Sequence, residues 1–417
     1  MSLTSDTLRK KDYFWNTLGA LLQNAISPAL LLVVTRVNGI EAAGLFSFAF
    51  SVSVLMWAVA MWGGRTYQVS DVKNEFSSQG YIIVRVVLAI FVLIITAVFC
   101  LLNNYDAFKT SLIFALVIFK IVESFSDVFY GVIQKNNKLY KSGKSLTAKA
   151  TIGFLVFVTI DYLTHDILLA VAGMIIINGI IFVAYDLVQA NKLEIIKFPK
   201  SELTKGIDES KKILRKTIGV FAILFMAMFS LNIPRYFIDM YDQEMVGYFG
   251  IMAMPITLIV LLISFILQPN VLKLSYLYNE DKMDKFKKAT NSLIKVSMFI
   301  GLFVLLGTIL LGVQILSLLF GVDFHPYRID LIIIVLGGIA SALVTVYLNI
   351  FVIMRRIRFP LLVLIVTNVL LIPVSYFMVE FYGLLGGISA FAIASILQFT
   401  IIDINFKRNK VKDEEKN

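Results

Sequence analysis

Read as apolar runs against polar breaks, the chain separates into twelve stretches near residues 14–35, 42–62, 81–102, 110–134, 145–163, 167–188, 213–234, 245–267, 291–320, 331–353, 359–378 and 382–402. Each has about the 20 residues a helix needs to cross a bilayer. Pro and Gly punctuate the runs and no series of alternating ten-residue strands recurs, so an all-α polytopic membrane protein is predicted over a β-barrel. The N-terminal MSLTSDTLRKKDYFW carries charge but no short apolar core with a small-residue cleavage site, so the first run is expected to stay.

The basic residues test the count. With the N-terminus placed in the cytoplasm, only Arg36, Lys109, Arg235 and Arg328 fall in outer segments and only Lys120 deep within a span; the rest of the 38 Lys and Arg fall in inner segments or at the inner ends of spans. A miscounted helix inverts every later loop, so this asymmetry supports twelve spans with both termini cytoplasmic. The net charge of +10 then reads as contact with an anionic inner leaflet through loops such as LYKSGKSLTAK, and not as nucleic-acid binding. The composition agrees, with 59% apolar and 16% charged residues and a mean hydropathy of +0.84.

One run departs from the rest. TSLIFALVIFKIVESFSDVFYGVIQ (110–134) carries Lys120, Glu123 and Asp127 with Tyr130 and Gln134, spaced so that all five side chains share an arc of about 80° on a helix. A charge at the bilayer centre costs a few kcal/mol, so this stripe must face protein or a wet cavity. Lys120 can pair with Glu123, while Asp127 has no partner on its own helix. The stripe reads as a coupling-ion site or as the wall of a polar pathway, with a structural ion-pair network as the alternative. Amides extend the polar set: Asn16, Gln23, Asn24 and Ser27 in the first run, and Asn178, Asn232, Asn349, Asn368 and Gln398 elsewhere. Gln23, Asn24, Asn178, Asn232, Asn349 and Asn368 are pathway candidates whose donors and acceptors suit sugar hydroxyls, and each is alternatively interhelical glue worth about 1 kcal/mol. Arg36 and Arg235 end the first and seventh runs, equivalent positions that could hold a diphosphate or could snorkel. Arg65, Arg85, Arg355, Arg356 and Arg358 are explained by topology.

The chain also reads as two halves: 1–190 and 213–403, each of six helices, joined by a lysine-rich linker 191–212 and followed by a tail 404–417. Glu41-x-x-Gly44-x-Phe46 recurs as Glu244-x-x-Gly247-x-Phe249, at the same helix boundary in each half. An even number of spans per half keeps both in the same orientation. Pro28, Pro255, Pro269 and Pro373, with the small-residue face of Gly383, Gly387, Ser389 and Ala390, suit kinked and closely packed helices.

Several chemistries are missing. Gly143-Lys144-Ser145 ends like a phosphate loop, but Lys138 stands where the first glycine is required. His165 and His325 lack metal-ligand spacing, Cys100 sits alone in an apolar run, and no catalytic triad assembles. No metal, cofactor or enzymatic activity is expected.

Against this background NIPRYF (232–237), the following Glu244/Gly247/Phe249 motif, QPNVLKLSYLYNEDKMDKFKK (268–288), FGVDFHPY (320–327), RRIRFPLL (355–362) and YGLLGGISAF (382–391) make the whole chain resemble a polysaccharide-unit flippase, the O-antigen or capsule repeat-unit type within the multidrug/oligosaccharidyl-lipid/polysaccharide exporter superfamily. The resemblance implies two six-helix lobes around a central cavity, alternating access, and movement of an undecaprenyl-diphosphate-linked oligosaccharide from the inner to the outer leaflet of a bacterial cytoplasmic membrane. It implies H+ or Na+ as coupling ion, and a polysaccharide polymerase and chain-length regulator as partners. Murein-precursor flippases carry several arginines in the N-terminal cavity, whereas the first run here has no basic residue before Arg36. Multidrug extruders place a coupling carboxylate in that run, and here it has none. A cation-coupled multidrug exporter is the alternative, and a membrane glycan polymerase or ligase a more distant one, disfavoured by short outer loops.

Overall fold

Glycines and charges, more than loops, decide where this chain turns. The computed structural model describes residues 3–71, 75–194 and 200–414. They form twelve long helices: α1 (3–38), α2 (40–61), α3 (Ser78–Leu102), α4 (Ala107–Lys135), α5 (Leu139–Thr164), α6 (Ile167–Asn191), α7 (Lys200–Tyr241), α8 (243–279), α9 (Met283–Phe320), α10 (Arg328–Ile353), α11 (358–382) and α12 (384–414). No strand occurs among the described residues.

Nine continuous helical stretches among these residues are long and apolar enough to cross a membrane. Two of them turn back at a single glycine, Gly39 (φ 88°) and Gly383 (φ 57°), a backbone region closed to most side chains, and so supply two crossings each. α4 falls outside that tally because of its charged stripe, yet its 29 residues span the same thickness. The predicted multi-pass all-helical class is what is observed. Gly383 therefore serves a turn, while Gly386 and Gly387 supply the close packing, against the Met378 carbonyl and the Ile238 side chain.

The helices extend beyond the apolar runs. α5 starts at Leu139 and α7 at Lys200, so much of the polar segment expected to link the halves is helical. Hydropathy marks only the part of a helix that meets hydrocarbon, and a polar extension keeps its backbone bonds in water.

Two compact units result: 1–39 with 49–221, and 40–48 with 222–417. Contacts from α7 explain why its first turns belong to the first unit. Glu209 accepts from the Ser77 N–H (3.0 Å) and hydroxyl (2.5 Å) at the start of α3, and the Trp62 indole donates to the Leu214 carbonyl at 3.1 Å while stacking on Phe221.

In the second unit the repeated motif meets itself. A Cβ on Gly44 would lie 1.9 Å from the Gln243 carbonyl, and one on Gly247 would lie 2.7 Å from the Ile40 carbonyl. The two contacts exchange equivalent positions, so segments 40–48 and 243–249 cross as a self-complementary pair.

Candidate functional site: a charged cavity within the first unit

Between α2 and α3 the chain breaks at Met61 and resumes as a short helix, Gly64–Ser70. Trp62, Gly63 and Gly64 all have positive φ, and Gly63 packs where a Cβ would collide with Thr217. This break exposes backbone groups that the charged stripe of α4 satisfies. Asp127 accepts the Arg65 N–H at 3.1 Å and lies 3.6 Å from the side chains of both Arg65 and Arg85. Arg85 in turn donates to the carbonyls of Ala60 and Met61, the last of α2. Asp127 thus finds its partners on other elements, and Arg65 and Arg85 belong to the unit's interior. Topology explains only part of their placement: a charge count gives a side of the membrane, not a depth.

One turn earlier on α4, Glu123 accepts Lys120 Nζ at 2.7 Å and the Gln23 side-chain amide of α1. The Lys120 ammonium lies over the rings of Phe50 and Phe119, which cover the ion pair from the apolar side.

A third charged pair was not anticipated. Lys149 of α5, read with the membrane-surface lysines of its loop, is 5% exposed and bonds Asp186 of α6 at 2.5 Å. Its ammonium also reaches the Ser126 hydroxyl and Tyr130, whose phenol donates to Ser145 at 2.8 Å. Asp186 lies in a π-helical turn, Phe182–Leu187, an insertion typical of functional positions in helices. α5 is drawn close to α1 by Gly143, where a Cβ would strike the Trp15 carbonyl. The fragment that resembled a phosphate loop is therefore a helix contact.

These groups enclose a cavity of about 100 Å³, lined by Gln23, Arg65, Glu123, Asp127, Lys149 and Asn178 with Trp57, Ser126 and Tyr130. That is room for several waters. Among the charged groups that line it, Arg65 and Lys149 stand against Glu123 and Asp127, so the wall carries both signs in balance, and Arg85, Lys120 and Asp186 pair with these residues without lining the cavity. Such a wall offers two cations to an anion and hydrogen-bonding groups to hydroxyls.

The structure brings Gln23, Lys120, Glu123, Asp127 and Asn178 together and leaves the other candidates elsewhere. Asn24 is exposed and bonded to the Ala20 carbonyl. Asn232 and Asn349 each donate back one helical turn. Asn368 is buried in a hydrogen-bonded knot with Ser230 and Gln398 in the second unit. Arg36 is exposed on the first unit. Arg235, in the second, packs over the Phe249 ring with Nε buried and lacking a hydrogen-bond partner. The signal for the missed pair was present, since Lys149 and Asp186 both fall inside predicted apolar runs. Their separation of 37 residues gave no local pattern to connect them.

No protein-family model matches the chain. An inward-facing multidrug resistance MATE family transporter of the MOP superfamily superposes with a TM-score of 0.69 at 13% identity, over 96% of this chain and 99% of that one. The lipid II flippase MurJ, in an inward closed conformation, gives 0.66 at 14% identity, over 96% and 87%. The chain has the fold of the multidrug/oligosaccharidyl-lipid/polysaccharide exporter superfamily. The superfamily resemblance read from its motifs is upheld at the level of the fold, and these two structures are a transporter and a flippase, not enzymes. A capsular polysaccharide biosynthesis protein, CapF of Staphylococcus aureus, is 26% identical over 309 residues, covering 74% of this chain and 76% of its own.

Proposed function

We propose that this protein flips undecaprenyl-diphosphate-linked oligosaccharide repeat units from the inner to the outer leaflet of a bacterial cytoplasmic membrane, for surface polysaccharide assembly, with both termini cytoplasmic. The observation that carries the reading is the water-sized, charged cavity lined by Gln23, Arg65, Glu123, Asp127, Lys149 and Asn178. A charged, hydroxyl-rich headgroup needs such a surface to leave water, while its polyprenyl tail stays in lipid. The likeness to a capsule-biosynthesis protein and to a lipid II flippase favours the same substrate class. Glu123, Lys120, Gln23 and Asn178 form the polar pathway in the first unit. Arg235, a cation over an aromatic ring with an unused donor, is the diphosphate-contact candidate in the second. Coupling to H+ or Na+ and association with a polymerase and a chain-length regulator complete the proposal.

Deleting the gene should leave lipid-linked repeat units on the inner leaflet and remove the surface glycan. Normal surface glycan in the deletion strain would refute the flippase reading. A second reading, a cation-coupled multidrug exporter, draws on the 0.69 superposition with a MATE transporter. It predicts that aromatic cations, and not glycolipids, raise the unfolding temperature of the purified protein.

A further inference from the structure

The two cations that line the cavity, Arg65 and Lys149, are held by carboxylates of unequal standing. Asp127 bonds Arg65 and also Arg85, which is buried and capped on α2. If Arg65 turned to another anion, Asp127 would keep a guanidinium and a backbone N–H. Asp186 has no such reserve: it is fully buried, Lys149 is its ion-pair partner, and no second cation bonds it among the described residues. Its Oδ1 is sealed from solvent and faces the hydroxyls of Ser126 and Ser145, neutral groups that supply no counter-charge. Arg65 Nη1 is a buried donor with no acceptor. The two lining cations are thus a guanidinium with an unused donor and an ammonium engaged with one carboxylate.

We infer that Arg65 and Lys149 form a diphosphate-binding site, and that Asp186 takes up one proton when the diphosphate draws Lys149 away from it. This rests on the flippase reading for the identity of the ligand, and goes beyond it by naming the phosphate contacts and the proton acceptor. In the empty cavity the Lys149 ammonium is balanced by the Asp186 carboxylate. When a phosphate oxygen takes the ammonium, the carboxylate is left in a medium where an isolated charge costs several kcal/mol. A proton reaches Oδ1 by way of the Ser126 hydroxyl, which lines the cavity, and the new carboxyl donates to Ser126 or Ser145. The diphosphate brings two negative charges. One replaces the Asp186 carboxylate as counter-ion of Lys149, whose former partner the proton neutralises; the other faces Arg65, and Lys149 stays protonated throughout. The pair works as a counter-ion exchange that ties headgroup entry to proton entry. Other groups within electrostatic reach are Tyr130 of α4 and Tyr185 of α6 toward Asp186, and Glu123 of α4 toward Lys149. Glu123 is held by Lys120 and Gln23.

Calorimetric titration of the full chain in detergent with inorganic pyrophosphate, between about pH 6 and 8, tests the exchange. Asp186→Asn should bind about 100-fold more tightly than wild type near pH 8, because nothing competes for Lys149, and the two should converge near pH 6. The wild-type affinity should fall about tenfold more per pH unit than that of Asp186→Asn, the signature of one linked proton. Comparing the two cancels the protonation of pyrophosphate itself. Lys149→Met should weaken binding at least tenfold at every pH. The double variant Lys149→Met/Asp186→Leu, which removes both charges together, should fold and show neither binding nor linkage. Wild-type affinity in Lys149→Met, an unaltered pH slope in Asp186→Asn, or no pyrophosphate binding by the wild type overturns the inference. Repeat-unit export by a protein that fails this test keeps the flippase reading and loses the exchange. Linked pyrophosphate binding without repeat-unit export does the reverse.

Discussion

In the first unit ion pairs join four cations and three carboxylates; two of each sign line water-accessible space, and Arg85, Lys120 and Asp186 pair with those that do. In the second, the buried polar knot is neutral: Ser230 donates to Asn368 at 2.6 Å, Asn368 to the Met226 carbonyl at 2.8 Å, and Gln398 to Thr367 at 2.8 Å. All four side chains are almost fully buried. The difference teaches what each polarity is for. Neutral donors and acceptors that satisfy one another join α7, α11 and α12 at a modest gain per bond, and they need no water. Ionised groups cost far more to bury, so a cluster of them persists only where a cavity hydrates it or a ligand uses it.

Within the charged cluster, Asp127 and Glu123 divide the labour. Asp127 and Arg85 brace the break at the end of α2, whereas Glu123 bridges α1 and α4 along the cavity wall. Neutralising both together would mix a folding defect with a transport defect, so the comparison is sharpened by separate changes. The largest effect is expected from Arg85→Leu, which strips two carbonyls of their donor and Asp127 of a buried partner. It should cost about 3–5 kcal/mol, read as a large fall in unfolding temperature and in the yield of folded protein. A variant as stable as wild type would show that the brace is not structural. Next comes Glu123→Gln, which keeps hydrogen-bonding capacity but removes the charge. Export of repeat units should fall about tenfold with the unfolding temperature little changed, and a stable, fully active variant would move Glu123 into the structural column beside Asp127. The smallest effect is expected in the neutral knot, where Gln398→Leu should cost about 1 kcal/mol in thermal unfolding and leave export intact. Loss of export at normal stability would erase the contrast between the units.

The twelve crossings were legible because burial in lipid demands long apolar runs, and the stripe on α4 was legible because one helix holds its residues at fixed angular spacing. What stayed hidden involves groups from separate helices. Lys149 stands at the end of a lysine-rich polar segment, and nothing in that segment distinguishes a lysine that turns inward from its surface neighbours. Arg65 and Arg85 obey the charge rule for loops while their side chains reach into the unit, since a long cationic chain can follow topology and still pair at depth. The π-helical turn that carries Asp186 has no marker in FVAYDL, because one extra residue per turn is settled by what the side chain must reach. The polar start of α7 lacks apolar periodicity for a similar reason: tertiary bonds from Glu209 and Leu214 hold it.

The crossing of Gly44 with Gly247 bears on ancestry. Where equivalent residues touch one another, a single substitution in a half-length precursor would have struck the junction from both sides, so a gene encoding one half, working as a homodimer, could alter that spot only with difficulty. Fusion of two copies would preserve the glycines and free every position away from the axis to evolve in one half alone. Only after such a joining could one bundle collect ions while its twin kept amides and hydroxyls.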